Sequence, residues 1–153
     1  MKTRFLYILF LFLFLMSGSC DEQTEITQPV CKKYIQLSFL DYNRMKEDPY
    51  QISEAKLSGD CLIITLKYSG GCKDHQVDLA LILPECATPP LPVPTFEIRH
   101  NANDDLCEAL ITKEYSFDIS GIKEAGKTQT GFILAEKNAQ GQVSATTPFL
   151  YQY

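Results

Sequence analysis

Leu62-Ile63-Ile64-Thr65-Leu66-Lys67-Tyr68-Ser69-Gly70-Gly71-Cys72-Lys73-Asp74-His75 is the stretch from which the fold is read. Leu62, Ile64, Leu66 and Tyr68 stand at alternate positions, the period of a strand with one face turned to a core. Gly70-Gly71 breaks the pattern, and His75, Val77, Leu79, Leu81 and Leu83 resume it. Strand, glycine turn and strand therefore follow one another, with a cysteine and a histidine at the turn.

The same period runs outward in both directions. Ile35, Leu37 and Phe39 alternate with polar neighbours, and the charged, turn-rich segment 43–49 follows. A short run from Ile52 to Leu57 reaches Ser58-Gly59-Asp60, which has the residues of a tight hairpin. Downstream, Pro84 to Pro94 holds five prolines and is expected to be an irregular connection or an edge. Phe96, Ile98 and His100 share one face, and so do Tyr115, Phe117 and Ile119. The segments 131–137 and 142–153 form a last pair across Asn138-Ala139-Gln140-Gly141. The only helical candidates are single turns at Arg44 to Glu47 and at Ser120 to Ala125, the latter ended by Gly126. About seven or eight short strands without a longer amphipathic helix predict an antiparallel β-sandwich of the immunoglobulin-like kind, with a small β-barrel as the alternative.

The N-terminus speaks of export. Lys2 and Arg4 precede an apolar run from Phe5 to Met16, and Ser17-Gly18-Ser19-Cys20 follows, which is the layout of a secretory signal peptide. At ~1.5 Å per residue the run falls short of the ~30 Å hydrocarbon core. Small residues ending at a cysteine resemble the lipobox of bacterial lipoproteins, although Ser17 stands where leucine is usual. The resemblance implies that Cys20 is acylated and becomes the mature N-terminus. The expected organisation is a signal peptide over 1–19, a lipid-anchor cysteine and polar tether over 20–30, and a single β-sandwich domain over 31–153. The expected location is the outer membrane of a Gram-negative envelope, on its periplasmic or cell-surface face. Loss of residues 1–19 leaves 12 basic against 19 acidic side chains, a net of −7. Such a chain is a poor partner for nucleic acid or anionic lipid, so the membrane is reached through the lipid anchor.

Besides Cys20 the chain has Cys31, Cys61, Cys72, Cys86 and Cys107. In an exported protein these are disulfide candidates, and an odd number leaves one thiol over. Cys72 follows the double glycine and Cys107 closes the loop after His100. Both lie at strand ends where neighbouring loops are readily cross-linked, which favours a Cys72–Cys107 bridge. For the second bridge, periodicity does not choose between Cys61–Cys86 and Cys31–Cys61.

The segments Tyr68-Ser-Gly-Gly-Cys-Lys-Asp-His75, His100-Asn-Ala-Asn-Asp-Asp-Leu-Cys-Glu-Ala-Leu110 and Tyr115-Ser-Phe-Asp-Ile-Ser-Gly-Ile-Lys123 together resemble a group of small, uncharacterised exported bacterial proteins, many of them lipoproteins. The resemblance covers roughly residues 50 to 125. It implies a β-rich domain with Cys72 bonded to Cys107 and brings no established activity with it.

His75 and His100, the only two histidines, each continue the apolar register of their strands and are expected to meet at the strand ends. One reading makes them rim residues that order loops through ring-nitrogen hydrogen bonds. The other makes them zinc or copper ligands, with carboxylates from Asp74, Asp104, Asp105 or Glu108; the metal set carried forward is His75, His100, Asp104 and Glu108. The 101–105 loop lacks the glycine and distal glutamate of a calcium loop. No phosphate loop, nucleophile elbow or catalytic carboxylate pair stands out, so no catalytic residue and no cofactor is assigned. The expectation is a non-enzymatic, lipid-anchored envelope domain that binds a protein or glycan partner or serves a structural role. A small metal-dependent protein using His75 and His100 is the alternative.

Overall fold

The structure is a computed structural model that describes residues 30–38, 41, 44–83, 91–138 and 140–153. The expected signal peptide, Cys20, Phe39 and Cys86 lie outside the described residues. The strands are β1 (Lys32–Lys33), β2 (Ile35–Ser38), β3 (Gln51–Ser58), β4 (Cys61–Gly70), β5 (Gln76–Leu83), β6 (Thr95–Asn101), β7 (Ala109–Asp118), β8 (Gln129–Lys137) and β9 (Val143–Gln152). They form a four-stranded sheet in the order β1-β7-β4-β3 and a five-stranded sheet in the order β2-β5-β6-β8-β9. Two separate sheets make the expected sandwich and not the barrel.

Alternation is what builds it. Leu62, Ile64, Leu66 and Tyr68 of β4 face Val77, Leu79 and Leu81 of β5 and Phe96 and Ile98 of β6 in one buried cluster. Phe117, Phe132, Leu134 and Tyr151 complete that cluster, with Phe96 edge-on to Phe132 at 5.4 Å between ring centres. Each of these aliphatic side chains stabilises the fold by about 1.5–3 kcal/mol relative to exposure. The β3–β4 hairpin turns at Gly59, whose φ of +56° is easy only for glycine and a few polar residues.

Two expectations are corrected. The sheets are mixed: β1–β7, β2–β5 and β6–β8 pair in parallel, whereas the strand pattern predicts an antiparallel sandwich. Period two reports which face a residue occupies but not the direction of its neighbour. The chain repeatedly leaves one sheet for the other and can return in either direction. Second, the turn expected over 120–125 is a 3-10 turn at Ser120–Ile122 only, since Lys123 is already extended. Gly126 adopts a φ of +79° in a separate turn that closes with the Lys127 amide on the Glu124 carbonyl at 3.1 Å.

The second sheet also hides charges that the pattern did not announce. Strand β6 is buried on both faces, so Glu97 and Arg99, which alternate with Phe96, Ile98 and His100, are buried too. They survive there because they are paired: Arg99 contacts Glu97 at 3.1 Å and also Glu47, while Lys137 contacts Glu47 at 2.7 Å and Glu97 at 2.9 Å. Removing one member would leave the other three with one net charge in the buried sheet, which typically costs more than the pair contributes.

Candidate functional site

At the Gly70 end of β4 the two histidines meet as the register predicts. His75 lies just ahead of β5 and His100 near the end of β6, and Val77 pairs with His100 across the strands. His75 Nδ1 is 2.9 Å from His100 Nε2. His75 Nε2 lies 3.3 Å from Asp105 Oδ2, and His100 Nδ1 lies 3.1 Å from the Asp48 carbonyl oxygen. The result is one line of contacts, Asp105–His75–His100–Asp48, with the Tyr68 ring against both imidazoles at 4.8 and 4.7 Å between centres. The Tyr68 hydroxyl is 2.8 Å from that of Tyr115, whose phenol is pushed up by burial and by that hydrogen bond.

Glycine makes this approach possible. A Cβ on Gly70 would lie 2.5 Å from His75 Nε2, so any larger residue would displace the ring. Gly71, at φ +115°, turns the chain so that three successive amides converge. Asp105 Oδ2 accepts hydrogen bonds from the Gly71, Cys72 and Lys73 amides, each at 2.9 Å, and Asp105 Oδ1 accepts one from the Cys107 amide at 2.9 Å. The Cys107 amide, then those of Lys73 and Cys72 and the His75 ring, hold the Asp105 carboxyl well below the usual carboxylate range, against burial pushing it up.

The Cys72–Cys107 bridge forms as expected, with Cα atoms 5.9 Å apart. The second bridge joins Cys31 to Cys61, with Cα atoms 5.8 Å apart. Both cysteines lie at the same end of the four-stranded sheet, where β1 pairs with the last residues of β7 and Cys61 pairs with Asp118.

The proposed metal set is only half assembled. His75 and His100 come together, but Asp104 turns outward to Lys46 at 2.9 Å, and Glu108 is exposed and outside the line of contacts. The reason is local: Asn103 and Asp104 adopt φ of +55° and +52°, folding the loop so that Asp105, not Asp104, faces inward. The imidazole nitrogens are spent on each other, on Asp105 and on Asp48. The one cluster of metal-capable atoms among the described residues is Cys72, Asp105 and Cys107, and its sulfurs are in the disulfide. Asp48 was not among the acids weighed from sequence. It accepts the Ala102 amide at 2.7 Å and donates its own amide to the His100 carbonyl at 2.8 Å, and no local motif foretells that role.

Beside the histidines opens a cleft of about 570 Å³, lined among others by Tyr50, Tyr68, His100, Lys67, Leu106 and Leu110. Leu106 is 92% exposed and Leu110 73% exposed on its rim.

The model of the NigD-like C-terminal beta sandwich domain matches residues 34–149. The chain belongs to this NigD-like family. The sandwich also resembles solved structures, at identities that speak for the fold alone. A protein of unknown function from Bacteroides vulgatus is 16% identical with a TM-score of 0.57, over 80% of this chain and 56% of that one. A putative toxin-related protein from Parabacteroides distasonis is 20% identical with a TM-score of 0.57, over 80% of this chain and 60% of that one. A NigD-like immunity protein from Bacteroides caccae is 16% identical with a TM-score of 0.55, over 79% of this chain and 64% of that one. The NigD-like chain thus spans less than two thirds of each of these proteins. No curated protein matches it.

Proposed function

We propose that this NigD-like chain is a non-enzymatic, lipid-anchored envelope protein of the immunity type, which binds a protein partner through the cleft end of its sandwich. The observation that carries the reading is the exposed pair Leu106 and Leu110, the first on a loop that a disulfide and the Asp105 hydrogen bonds hold in place and the second at the start of β7. Large apolar side chains on a braced loop and on the strand it leads into, beside an aromatic cleft floor, suit a protein surface better than a small polar ligand. The immunity protein from Bacteroides caccae, a fold relative, supports the choice of partner class. Export, acylation at Cys20 and placement on the outer membrane follow from the leader and its terminal cysteine, and two or more acyl chains would make the anchoring stable. In this reading the Gly70–His75 and His100–Leu110 segments are what the family shares.

The test is protection. Susceptible cells producing the full chain are challenged with growth-inhibiting secretions from a panel of neighbouring strains. The natural chain is expected to rescue growth against at least one of them. Leu106→Asp with Leu110→Asp should abolish rescue while leaving export and stability within about 0.5 kcal/mol, since both side chains are exposed. Rescue by the double variant equal to that by the natural chain would sink the proposed surface. Membrane fractionation of Cys20→Ala, expected to release the protein to the soluble fraction, tests the anchor separately.

A further inference from the structure

The hydrogen-bond directions around the histidines count protons. The Asp48 carbonyl oxygen can only accept, so His100 Nδ1, 3.1 Å away, carries a hydrogen. At the other end Asp105 is ionised and accepts from four backbone amides, so His75 Nε2 must carry a hydrogen to bond it at 3.3 Å. Between the rings, 2.9 Å from nitrogen to nitrogen leaves room for one shared hydrogen. Two bare nitrogens there would repel, and so would two N–H groups. The line therefore needs three hydrogens on two rings, one more than two neutral imidazoles possess.

We propose that the folded protein stores one proton on the His75–His100 pair, shared between the rings and neutralised by Asp105, making the pair a pH-sensing site in the floor of the cleft. The site is built for it. The side chains of His75 and Asp105 are 3% and 0% exposed, so water does not replace a lost partner. The face of Tyr68 lies against both rings and favours a cation there. Tyr50 stands edge-on to His100, and Tyr115 reaches the site only through the Tyr68 hydroxyl. The other charges nearby are committed elsewhere. The Asp48 carboxylate takes the Ala102 amide, Lys73 donates to the Asn103 and Asp104 carbonyls, and Lys46 pairs with Asp104. Lys67 lines the cleft. Arg99 points to the opposite face of β6, toward Glu47 and Glu97.

The pair titrates as a unit in two steps. A second proton would set two N–H groups against each other. Burial, and then the charge on His75, push His100 below the ordinary imidazole range, while the Asp48 carbonyl pulls the other way. That proton binds the unfolded chain more readily, so stability declines as pH falls below about 6.5. The stored proton binds the folded chain more readily, so its contribution is complete below about 6.5 and is lost as pH rises through the upper step. The pair thus contributes most near pH 6.5, between the two steps, at about the ordinary imidazole value.

Because the chain has two histidines, every imidazole signal comes from this pair. Protein labelled with ¹⁵N-histidine is titrated by NMR from pH 4.5 to 9.5. At pH 7.5, where an ordinary imidazole is about nine-tenths neutral, three N–H hydrogens are expected on the two rings, with one titration step above and one below about 6.5. Two N–H hydrogens at pH 7.5 and a single common step near 6.5 would overturn the proposal. Asp105→Asn, if it folds, should move the upper step down by at least one pH unit, and an unmoved step overturns the role of Asp105. If it does not fold, the titration of the natural chain decides.

Discussion

Each end of β4 carries a disulfide, a carboxylate that gathers hydrogen bonds, and a glycine pressed against a ring. At the Cys61 end these are Cys31–Cys61, Asp60 and Gly121, whose Cβ would lie 2.3 Å from the Tyr34 hydroxyl. At the Gly70 end they are Cys72–Cys107, Asp105 and Gly70. The contents between these parts differ. Asp60 is half-open to solvent and meets the Tyr151 hydroxyl and Lys123, groups that do not change charge near neutral pH. Asp105 is sealed and meets an imidazole. The same hardware closes a passive end and an end that responds to protons.

The largest expected effect comes from cutting the bridges. Cys72→Ser with Cys107→Ser should lower unfolding stability in guanidinium by about 2–5 kcal/mol. Cys31→Ser with Cys61→Ser should fall in the same range, because the two bridges close loops of similar length, with sequence separations of 30 and 35. Only the loss of Cys72–Cys107 should also perturb the imidazole titration, and a perturbation by both would erase the distinction between the two ends.

Next come the glycines. Gly70→Ala and Gly121→Ala should each cost about 1–3 kcal/mol through overpacking. Only Gly70→Ala should also perturb the imidazole titration, and a perturbation by both would show that the ends communicate.

Acid comes next, and here the ends should agree. Tyr151 and then Lys123 lower the pKa of Asp60, and the amides around Asp105 lower that of Asp105. A depressed carboxyl contributes stability above its unfolded value of about 3.9 that is lost as pH falls through the folded value. Thermal unfolding followed from pH 5 to pH 2 should therefore steepen below about 4. Asp60→Asn and Asp105→Asn should each flatten the curve, and no change in either would remove that carboxylate from the account.

The smallest effect belongs to Tyr151. Burial, and then Asp60, push its phenol up to about 12. Its protonated form is favoured in the fold, so stability should hold below the unfolded value of about 10 and fall as pH rises from there toward the folded value. Phenolate absorbance in natural protein and Tyr151→Phe isolates that step. The substitution itself should cost about 1 kcal/mol for the lost hydrogen bond.

Much of this was legible in advance where chemistry is local. Alternation placed Leu62 to Tyr68 on one face and aimed His75 and His100 at the same interior, because side-chain period alone sets the face. The Cys72–Cys107 bridge was legible because both cysteines flank recognisable turns. Strand direction was not, since nothing in β2 or β8 distinguishes a parallel neighbour from an antiparallel one. The buried charges were not either: Glu97 and Arg99 read as an outward face until Glu47 and Lys137 are seen to cover them. The choice of Asp105 over Asp104 turned on the left-handed pair Asn103 and Asp104, a backbone detail that an Asn/Asp-rich loop permits in several registers.

One carboxylate holds the amides of both Cys72 and Cys107. Those contacts need backbone and carboxylate only, so they can form before any sulfur is oxidised. In a chain with several thiols, Asp105 would then act as a jig that brings the correct two together and disfavours the wrong pairs. Acid-trapping of oxidative refolding should find Cys72–Cys107 closing ahead of Cys31–Cys61, and Asp105→Asn should remove that lead and raise the share of scrambled bridges.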